Sequence, residues 1–105
     1  MRKRIKKLQP LFPKYNTDAF LISKEVNIRY LTEFFACDSW LLVTPREAFY
    51  ITDARYTLEA KEGLKGIHVQ EYKGLMADAV FELMKKSSAK KLIVEEHHVT
   101  LAQFK

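Results

Sequence analysis

The sequence predicts an α/β fold in which a mixed β-sheet is flanked by helices. Short apolar runs, typical of buried strands, alternate along the chain with segments of helical periodicity. Two β-rich runs, WLLVT and AFYIT, are separated only by Pro45-Arg46-Glu47, which predicts an antiparallel hairpin within that alternation. With 105 residues, 48% of them hydrophobic and 30% charged, the chain fits a single domain, residues 1–105, that can bury a core.

The first predicted elements are an amphipathic helix and a buried strand. The helix has basic residues on its solvated face and ends at Pro10 and Pro13, because proline cannot continue a helix. Its predicted core positions are Ile5, Leu8 and either Leu11 or Phe12. The apolar run AFLIS, residues 19–23, predicts a strand that is buried on both faces.

A second helix and a loop come next, ahead of the hairpin. NIRYLTEF, residues 27–34, predicts a helix with Asn27 as its N-cap, since an asparagine side chain accepts a free N–H group of the first turn. The positions at helical spacing are Ile28, Leu31 and Thr32. FACDS, residues 35–39, follows as a loop.

The second half of the chain continues the alternation. A helical period starts at Ala54, has Gly63 and Gly66 as C-terminal stops, and places on one face Tyr56, Ala60 and Leu64. IHVQEY, residues 67–72, predicts a half-buried or edge strand. The next helix is broken at Ser87-Ser88, and its apolar stripe is Leu75, Met76, Ala79, Val80, Leu83 and Met84. KLIVE, residues 91–95, predicts another buried strand, and Thr100 predicts the N-cap of a further helix.

Charge and composition narrow the class of protein. The formal net charge is +5, but five of the 18 basic residues form one terminal patch and the other 13 balance 13 acidic residues. The patch consists of Arg2, Lys3, Arg4, Lys6 and Lys7. Because no aromatic or glycine motif accompanies it, we expect no nucleic-acid binding. A single cysteine and the lack of an apolar run of membrane-spanning length lead us to expect a cytoplasmic protein without membrane attachment.

The segment Asp53-Ala54-Arg55-Tyr56 lies where a strand gives way to a helix, and it admits a structural or a catalytic interpretation. Asp53 can accept N–H groups of the first helical turn and lies favourably at the positive end of the helix dipole. Arg55 can reach a carboxylate or loop carbonyls with its planar guanidinium, and Tyr56 begins the apolar face. Because neither a nucleophile nor a metal-ligand set is evident nearby, we favour the structural interpretation.

Other metal-binding or nucleophilic side chains are sparse. Glu95-Glu96-His97-His98 ends a predicted strand, where adjacent histidines point to opposite faces, and His68 is the only other histidine. Nothing near Cys37 in the sequence would lower the pKa of its thiol, which predicts an ordinary loop cysteine. We therefore expect no catalytic residue, no metal ligand and no cofactor in this chain.

Two stretches of the sequence together resemble a known domain family. DAFLISKEVNIRYLTEF is followed at a fitting spacing by LLVTPREAFYITDARYTLEAK, and the similarity continues through VQEYKG and LIVEEHHVTLAQF. The residues of the two characteristic boxes are Asn27, Tyr30, Asp53, Arg55 and Tyr56. From about Ile5 onward, the chain resembles the N-terminal domain of the creatinase, prolidase and Xaa-Pro aminopeptidase group.

The resemblance implies a ribonuclease-H-like α/β fold with a non-catalytic role in assembly and substrate gating. It implies a cytoplasmic parent protein of the aminopeptidase P or prolidase type, which acts on proline-containing peptides. Two divalent metal ions (manganese, cobalt or zinc) would be held in that parent's C-terminal catalytic domain by two aspartates, a histidine and two glutamates. Further implied partners are this catalytic domain and a second copy in a homodimer. The open alternative is a stand-alone protein-interaction module of the same fold without peptidase activity.

The sequence departs from the family pattern at Glu33, where the family has a glycine after YLT. A glutamate would be strained there if the position needs a positive φ. By similarity to prolidase-like relatives, the loop that follows can approach a neighbouring subunit's active site, so Asp38, Ser39 and Trp40 are candidates for substrate contact. The alternative is that Trp40 packs in the core and Asp38 is a solvated turn residue.

Overall fold

One five-stranded sheet organises the computed structural model, which describes residues 2–94. The strands are β1 (Ala19–Ile22), β2 (Trp40–Val43), β3 (Ala48–Thr52), β4 (His68–Glu71) and β5 (Leu92–Val94). The helices are α1 (Lys3–Lys6), α2 (Leu11–Lys14), α3 (Glu25–Thr32), α4 (Thr57–Gly63) and α5 (Met76–Lys86). None of these helices has the length and hydrophobicity needed to span a bilayer.

The sheet is mixed, as predicted, and has the strand order β4-β3-β2-β1-β5. Strand β2 is antiparallel to both of its neighbours, with Leu41 opposite Tyr50 and Leu42 opposite Leu21. The outer strands are parallel to the strands they pair with, β4 to β3 and β5 to β1. Four strands therefore share one direction, and their carboxyl ends meet the amino end of β2 at one edge of the sheet.

A hydrophobic core lies on each face of the sheet. Helices α1 to α4 cover one face, and this core includes Ile5, Phe12, Phe20, Ile28, Leu31, Leu41, Tyr50 and Ala60. Helix α5 covers the other face, and that core includes Leu21, Leu42, Phe49, Ile51, Val80, Leu83 and Met84. Strands β1, β2 and β3 contribute side chains to both cores, which explains why their apolar runs are continuous rather than alternating.

The N-terminal segment differs from its prediction in helix boundaries but not in burial. Two short helices replace the single predicted one, since α1 ends at Lys6 and Pro10 directly precedes α2. Pro13 lies inside the four-residue helix α2, where its missing N–H costs no intrahelical hydrogen bond because the first-turn donors have no partner anyway. Ile5 and Phe12 are buried as predicted.

The N-cap of helix α3 lies three residues earlier than predicted, so the assignment of Asn27 as its N-cap is wrong. Lys24 is the N-cap residue and makes no side-chain capping bond, while Glu25 supplies a negative charge to the first turn. That charge is favourable at the positive end of the helix dipole, which accounts for the earlier start. The predicted core positions Ile28, Leu31 and Thr32 are all buried.

Two apolar positions in the second half are more exposed than predicted. Leu75 is 68% exposed because it is the N-cap of α5 rather than part of its apolar stripe. Ile93 in β5 is 36% exposed, so the prediction of a fully buried strand is wrong for the described part of this edge strand. The edge position of β4 is confirmed. The predictions for Glu95-Glu96-His97-His98 and Thr100 lie outside the described residues.

Candidate functional site

A groove of about 740 Å³ opens at the end of the sheet where the carboxyl ends of β1, β3 and β4 meet the amino end of β2. This end is where ligands commonly bind in open α/β sheets, since the strand ends leave a crevice between connecting loops. The charged residues that line the groove are Lys24, Glu25, Asp38 and Arg55. Its larger apolar and aromatic residues are Val26, Trp40, Tyr72 and Met76.

Residues 33–39, hereafter the α3–β2 loop, follow helix α3 and contribute Asp38 and Ser39 to the lining of the groove. Glu33 ends the helix in the left-handed region with φ 55° and ψ 31°, and its N–H donates to the carbonyl of Arg29 over 2.8 Å. Arg29 in turn donates its Nε to the carbonyl of Ala36 over 3.0 Å. Phe34 packs edge-on against Tyr50, with ring centroids 5.8 Å apart. The loop thus contacts both helix α3 and the core residue Tyr50.

Asp38 is the exposed carboxylate that the α3–β2 loop contributes to the groove, and it is held from two directions. Its backbone has φ 46°, and its N–H donates to Oε1 of Glu25 over 3.2 Å. Its Oδ2 lies 3.5 Å from Nη2 of Arg55 and 3.8 Å from Sγ of Cys37. The carboxylate therefore lies at the groove with its position set by α3 on one side and by the segment after β3 on the other.

The other two candidate loop residues combine a structural location with access to the groove. Ser39 is only 3% exposed, so at most a small part of it faces the groove. Trp40 is half-buried, packs against the core under α5 and still lines the groove. The structure therefore brings Asp38, Ser39 and Trp40 together at one site, and it places part of Trp40 in the core, as the alternative interpretation expected.

Asp53 and Arg55 form a tight charged pair in the turn between β3 and α4. Oδ1 of Asp53 accepts the backbone N–H of Arg55 over 2.9 Å, and Oδ2 accepts Nη2 of Arg55 over 2.6 Å. Asp53 does not cap α4 as predicted, because the N-cap is Tyr56 and the carboxylate is used within the preceding turn. The side-chain hydrogen bonds from Arg55 lower the pKa of Asp53, and Asp53 raises the pKa of Arg55 in return.

The two tyrosines of the family boxes lie in different places. Tyr56 is half-buried and its phenolic oxygen is 3.9 Å from Sγ of Cys37, a contact that raises the pKa of the phenol. Tyr30 is 55% exposed on α3, with the guanidinium of Arg4 4.4 Å from its ring centroid. Tyr56 therefore contacts the α3–β2 loop without lining the groove, while Tyr30 and Asn27 are exposed on α3.

The chemistry available at the groove is charge recognition. Within residues 2–94, three potential ligand atoms of Glu25, Cys37 and Asp38 lie within 4.8 Å of one another. Both carboxylates already accept protein donors, Glu25 from Asp38 and Asp38 from Arg55, so these contacts describe an ion-pair network. The set lacks a histidine and does not fit the five-ligand pattern implied for a dinuclear peptidase centre.

Three features of the groove were not predicted from the sequence. Glu25 was not singled out, and its contact with Asp38 depends on a loop conformation that no local pattern encodes. Tyr72 and Met76 reach the groove from the connection between β4 and α5, and the Met76 prediction covered only its packing. The reach of Arg55 toward a carboxylate was anticipated, but its contact with two carboxylates was not.

The fold and the two sequence boxes agree with one family. Residues 4–105 match the family described as the Creatinase/Prolidase N-terminal domain. The chain therefore belongs to the creatinase/prolidase N-terminal domain family.

Individual relatives are peptidases or domains of peptidases. The chain is 29% identical over 101 residues to the uncharacterized peptidase YqhT of Bacillus subtilis, covering 96% of this chain and 29% of that protein. A Xaa-Pro dipeptidase from Bacillus anthracis superposes with a TM-score of 0.88 at 26% identity, covering 97% of this chain and 29% of that one. The N-terminal domain of the cytoplasmic peptidase PepQ from Mycobacterium tuberculosis gives 0.85 at 28% identity, covering 99% and 81%. The chain thus spans less than a third of the first two of these relatives.

Proposed function

We propose that this chain is the non-catalytic N-terminal domain of a metal-dependent Xaa-Pro peptidase and that it gates substrate access through its α3–β2 loop. The catalytic domain, with two divalent metal ions, would lie in the part of the parent protein beyond this chain. Membership of the family and the peptidase relatives support this proposal. By the same likeness to PepQ, we propose that the parent acts in the cytoplasm.

The observation that carries the gating role is the position of Asp38. It is exposed, it lies on a loop, and it faces a groove that also offers the aromatic residues Trp40 and Tyr72. A carboxylate between aromatic side chains suits a wall that orients a cationic group, such as the amino terminus of a peptide. Asp38 would bind and orient in this role, while bond cleavage would take place in the neighbouring catalytic domain.

The assembly role rests on an exposed apolar patch beside the groove. Val26 is 60% exposed, Tyr30 is 55% exposed and Phe35 is 78% exposed, all on α3 or directly after it. Arg29 covers part of Phe35, with its guanidinium carbon 4.4 Å from the ring centroid. Arginine stacked on an exposed aromatic ring is a composition typical of interface residues. We therefore propose homodimer formation as the second task of the domain, with the α3–β2 loop near the subunit boundary.

Replacing Asp38 by alanine in the full-length parent protein tests the gating role. We expect KM for Xaa-Pro dipeptides to rise roughly two- to fivefold, the range of an exposed ion pair, with a smaller change in kcat. This pattern is the signature of lost uniform binding. Glu62→Ala is the matched control, since Glu62 is an exposed carboxylate on α4 that does not line the groove. Equal kinetics of Asp38→Ala and wild type across several dipeptides would contradict the gating role.

The alternative function is a stand-alone protein-interaction module, which the exposed patch of α3 favours equally. The complete gene product separates the two functions. A downstream domain with two aspartates, a histidine and two glutamates as metal ligands supports the peptidase, whereas a gene product without such a domain supports the module.

A further inference from the structure

We propose that Arg55 is a positioning residue for the α3–β2 loop: it bridges Asp53 and Asp38 and thereby holds the Asp38 carboxylate at the groove. This inference rests on the proposed role of Asp38 and concerns how that role is maintained. In this role Arg55 does not contact the substrate, and it does more than stabilise the turn after β3.

The guanidinium of Arg55 is fixed by Asp53. Nε of Arg55 lies 3.1 Å and 3.2 Å from the two carboxylate oxygens of Asp53, and Nη2 lies 2.6 Å from Oδ2. This two-atom contact fixes both the distance and the plane of the guanidinium. The Asp53 side chain is only 19% exposed, so it is itself well anchored at the end of β3.

The same guanidinium reaches the α3–β2 loop. Nη2, the atom bound to Asp53, lies 3.5 Å from Oδ2 of Asp38. The next residue, Tyr56, places its phenolic oxygen 3.9 Å from Sγ of Cys37. Two consecutive residues after β3 therefore contact two consecutive residues of the loop. Such adjacent contacts restrain the direction of the loop as well as its distance from the turn.

The position of the Asp38 carboxylate depends on contacts from both α3 and Arg55. The backbone of Asp38 has φ 46°, a left-handed conformation that aspartate adopts more readily than most non-glycine residues and that local contacts help to maintain. Glu25 restrains the same residue from α3 by accepting its N–H over 3.2 Å. Without Arg55, the carboxylates of Asp38 and Asp53 would face each other with no cation between them, and like charges at close range repel. Loss of Arg55 is thus expected to turn Asp38 away from the groove.

The test is a double-mutant cycle in the full-length parent protein. R55Q removes the charge, R55K keeps the charge but loses the planar fork, and R46Q is the matched control in the exposed turn of the hairpin. We expect R55Q to raise KM for Xaa-Pro dipeptides about as much as Asp38→Ala does, roughly two- to fivefold, with kcat little changed. R55K should recover part of the wild-type KM, and R46Q should match wild type.

The double-mutant cycle tests whether Arg55 acts through Asp38. The double variant D38A/R55Q should show no higher KM than D38A, since the residue that Arg55 positions is already gone. A KM that rises by the same factor in the D38A background would overturn the inference, as would a normal KM in R55Q. If D38A itself leaves KM unchanged, the proposed gating function fails instead. Should R55Q fold poorly, the same comparison with R55K in both backgrounds gives the answer.

Discussion

Replacing Glu33 by glycine is expected to stabilise the domain, although it deletes an ion pair. Glu33 ends α3 in the left-handed region with φ 55° and ψ 31°, a conformation that glycine adopts without a Cβ penalty. The residue is also where this sequence departs from the family's glycine. Glu33 gains one contact in exchange, since its Oε1 lies 3.5 Å from Nε of Arg4.

The magnitude follows from three opposing effects. Relief of the left-handed conformation is worth about 1–2 kcal/mol, while glycine loses about 0.4–1 kcal/mol through the greater entropy of the unfolded chain. The side chains of the ion pair are 39% and 56% exposed, so its loss costs only about 0.2–1 kcal/mol. At the midpoints of these ranges, we therefore expect Glu33→Gly to gain only about 0.2 kcal/mol of unfolding free energy.

Glu33→Ala is the control, because alanine loses the same ion pair and keeps the backbone strain. It should be less stable than wild type, and we expect the glycine variant to exceed it by about 1 kcal/mol. Thermal unfolding of the 105-residue chain measures the gap, which corresponds to about 4–8 °C in Tm for a domain of this size. If glycine and alanine lower Tm equally, backbone strain at Glu33 is not the dominant effect.

Three further predictions concern the pair at Asp53, a close packing contact and the activity of the chain. Asp53→Asn should destabilise the domain at pH 7, and its difference in stability from wild type should vanish at low pH. Arg55 lowers the pKa of the Asp53 carboxyl in the folded state. The carboxylate therefore stabilises the fold fully above the unfolded pKa of about 3.9, and this effect is lost as the pH falls through the lower folded pKa. A difference that persists at low pH would refute the charge argument. Gly63→Ala should lower Tm, although helix propensity alone favours alanine by about 1 kcal/mol, because the new Cβ would lie 2.7 Å from Cδ1 of Phe34. The purified 105-residue chain should show no metal-dependent hydrolysis of Xaa-Pro peptides, since turnover would require a metal-ligand set that the proposal assigns to another domain.

Continuous apolar runs made the sheet predictable from sequence. Strands that are covered on both faces need apolar side chains at every position. For this reason β1, β2 and β3 can be predicted without knowing which strands they pair with. The edge strands are harder, because an edge strand needs fewer buried positions. The alternating pattern of β4 placed it correctly at an edge, whereas the apolar sequence of β5 predicted more burial than its described residues have.

Helix starts were less predictable than helix faces. A buried face follows from periodicity, which located Ile28 and Leu31 correctly. The start of a helix depends on small energetic contributions from a few residues near its first turn. Here the helix starts at Glu25, ahead of the expected N-cap at Asn27. The length of the hairpin turn was also predicted wrongly. Thr44 belongs to the turn, and its N–H donates to the carbonyl of Glu47 over 2.9 Å. The register of the hairpin therefore differs by one residue from the one that a three-residue turn would impose.

That register explains why an arginine is needed beside the groove. In the hairpin, Trp40 pairs with Ile51 and Leu41 with Tyr50. Continuing the same pairing past the ends of both strands brings Asp38 opposite Asp53, and like charges directly opposite each other destabilise a pair of strands. Arg55 contacts both carboxylates through one nitrogen atom and compensates this repulsion. The segment Asp53-Ala54-Arg55-Tyr56 therefore supplies the positive charge that the facing carboxylate of Asp38 requires. Its structural task and the orientation of Asp38 depend on the same guanidinium.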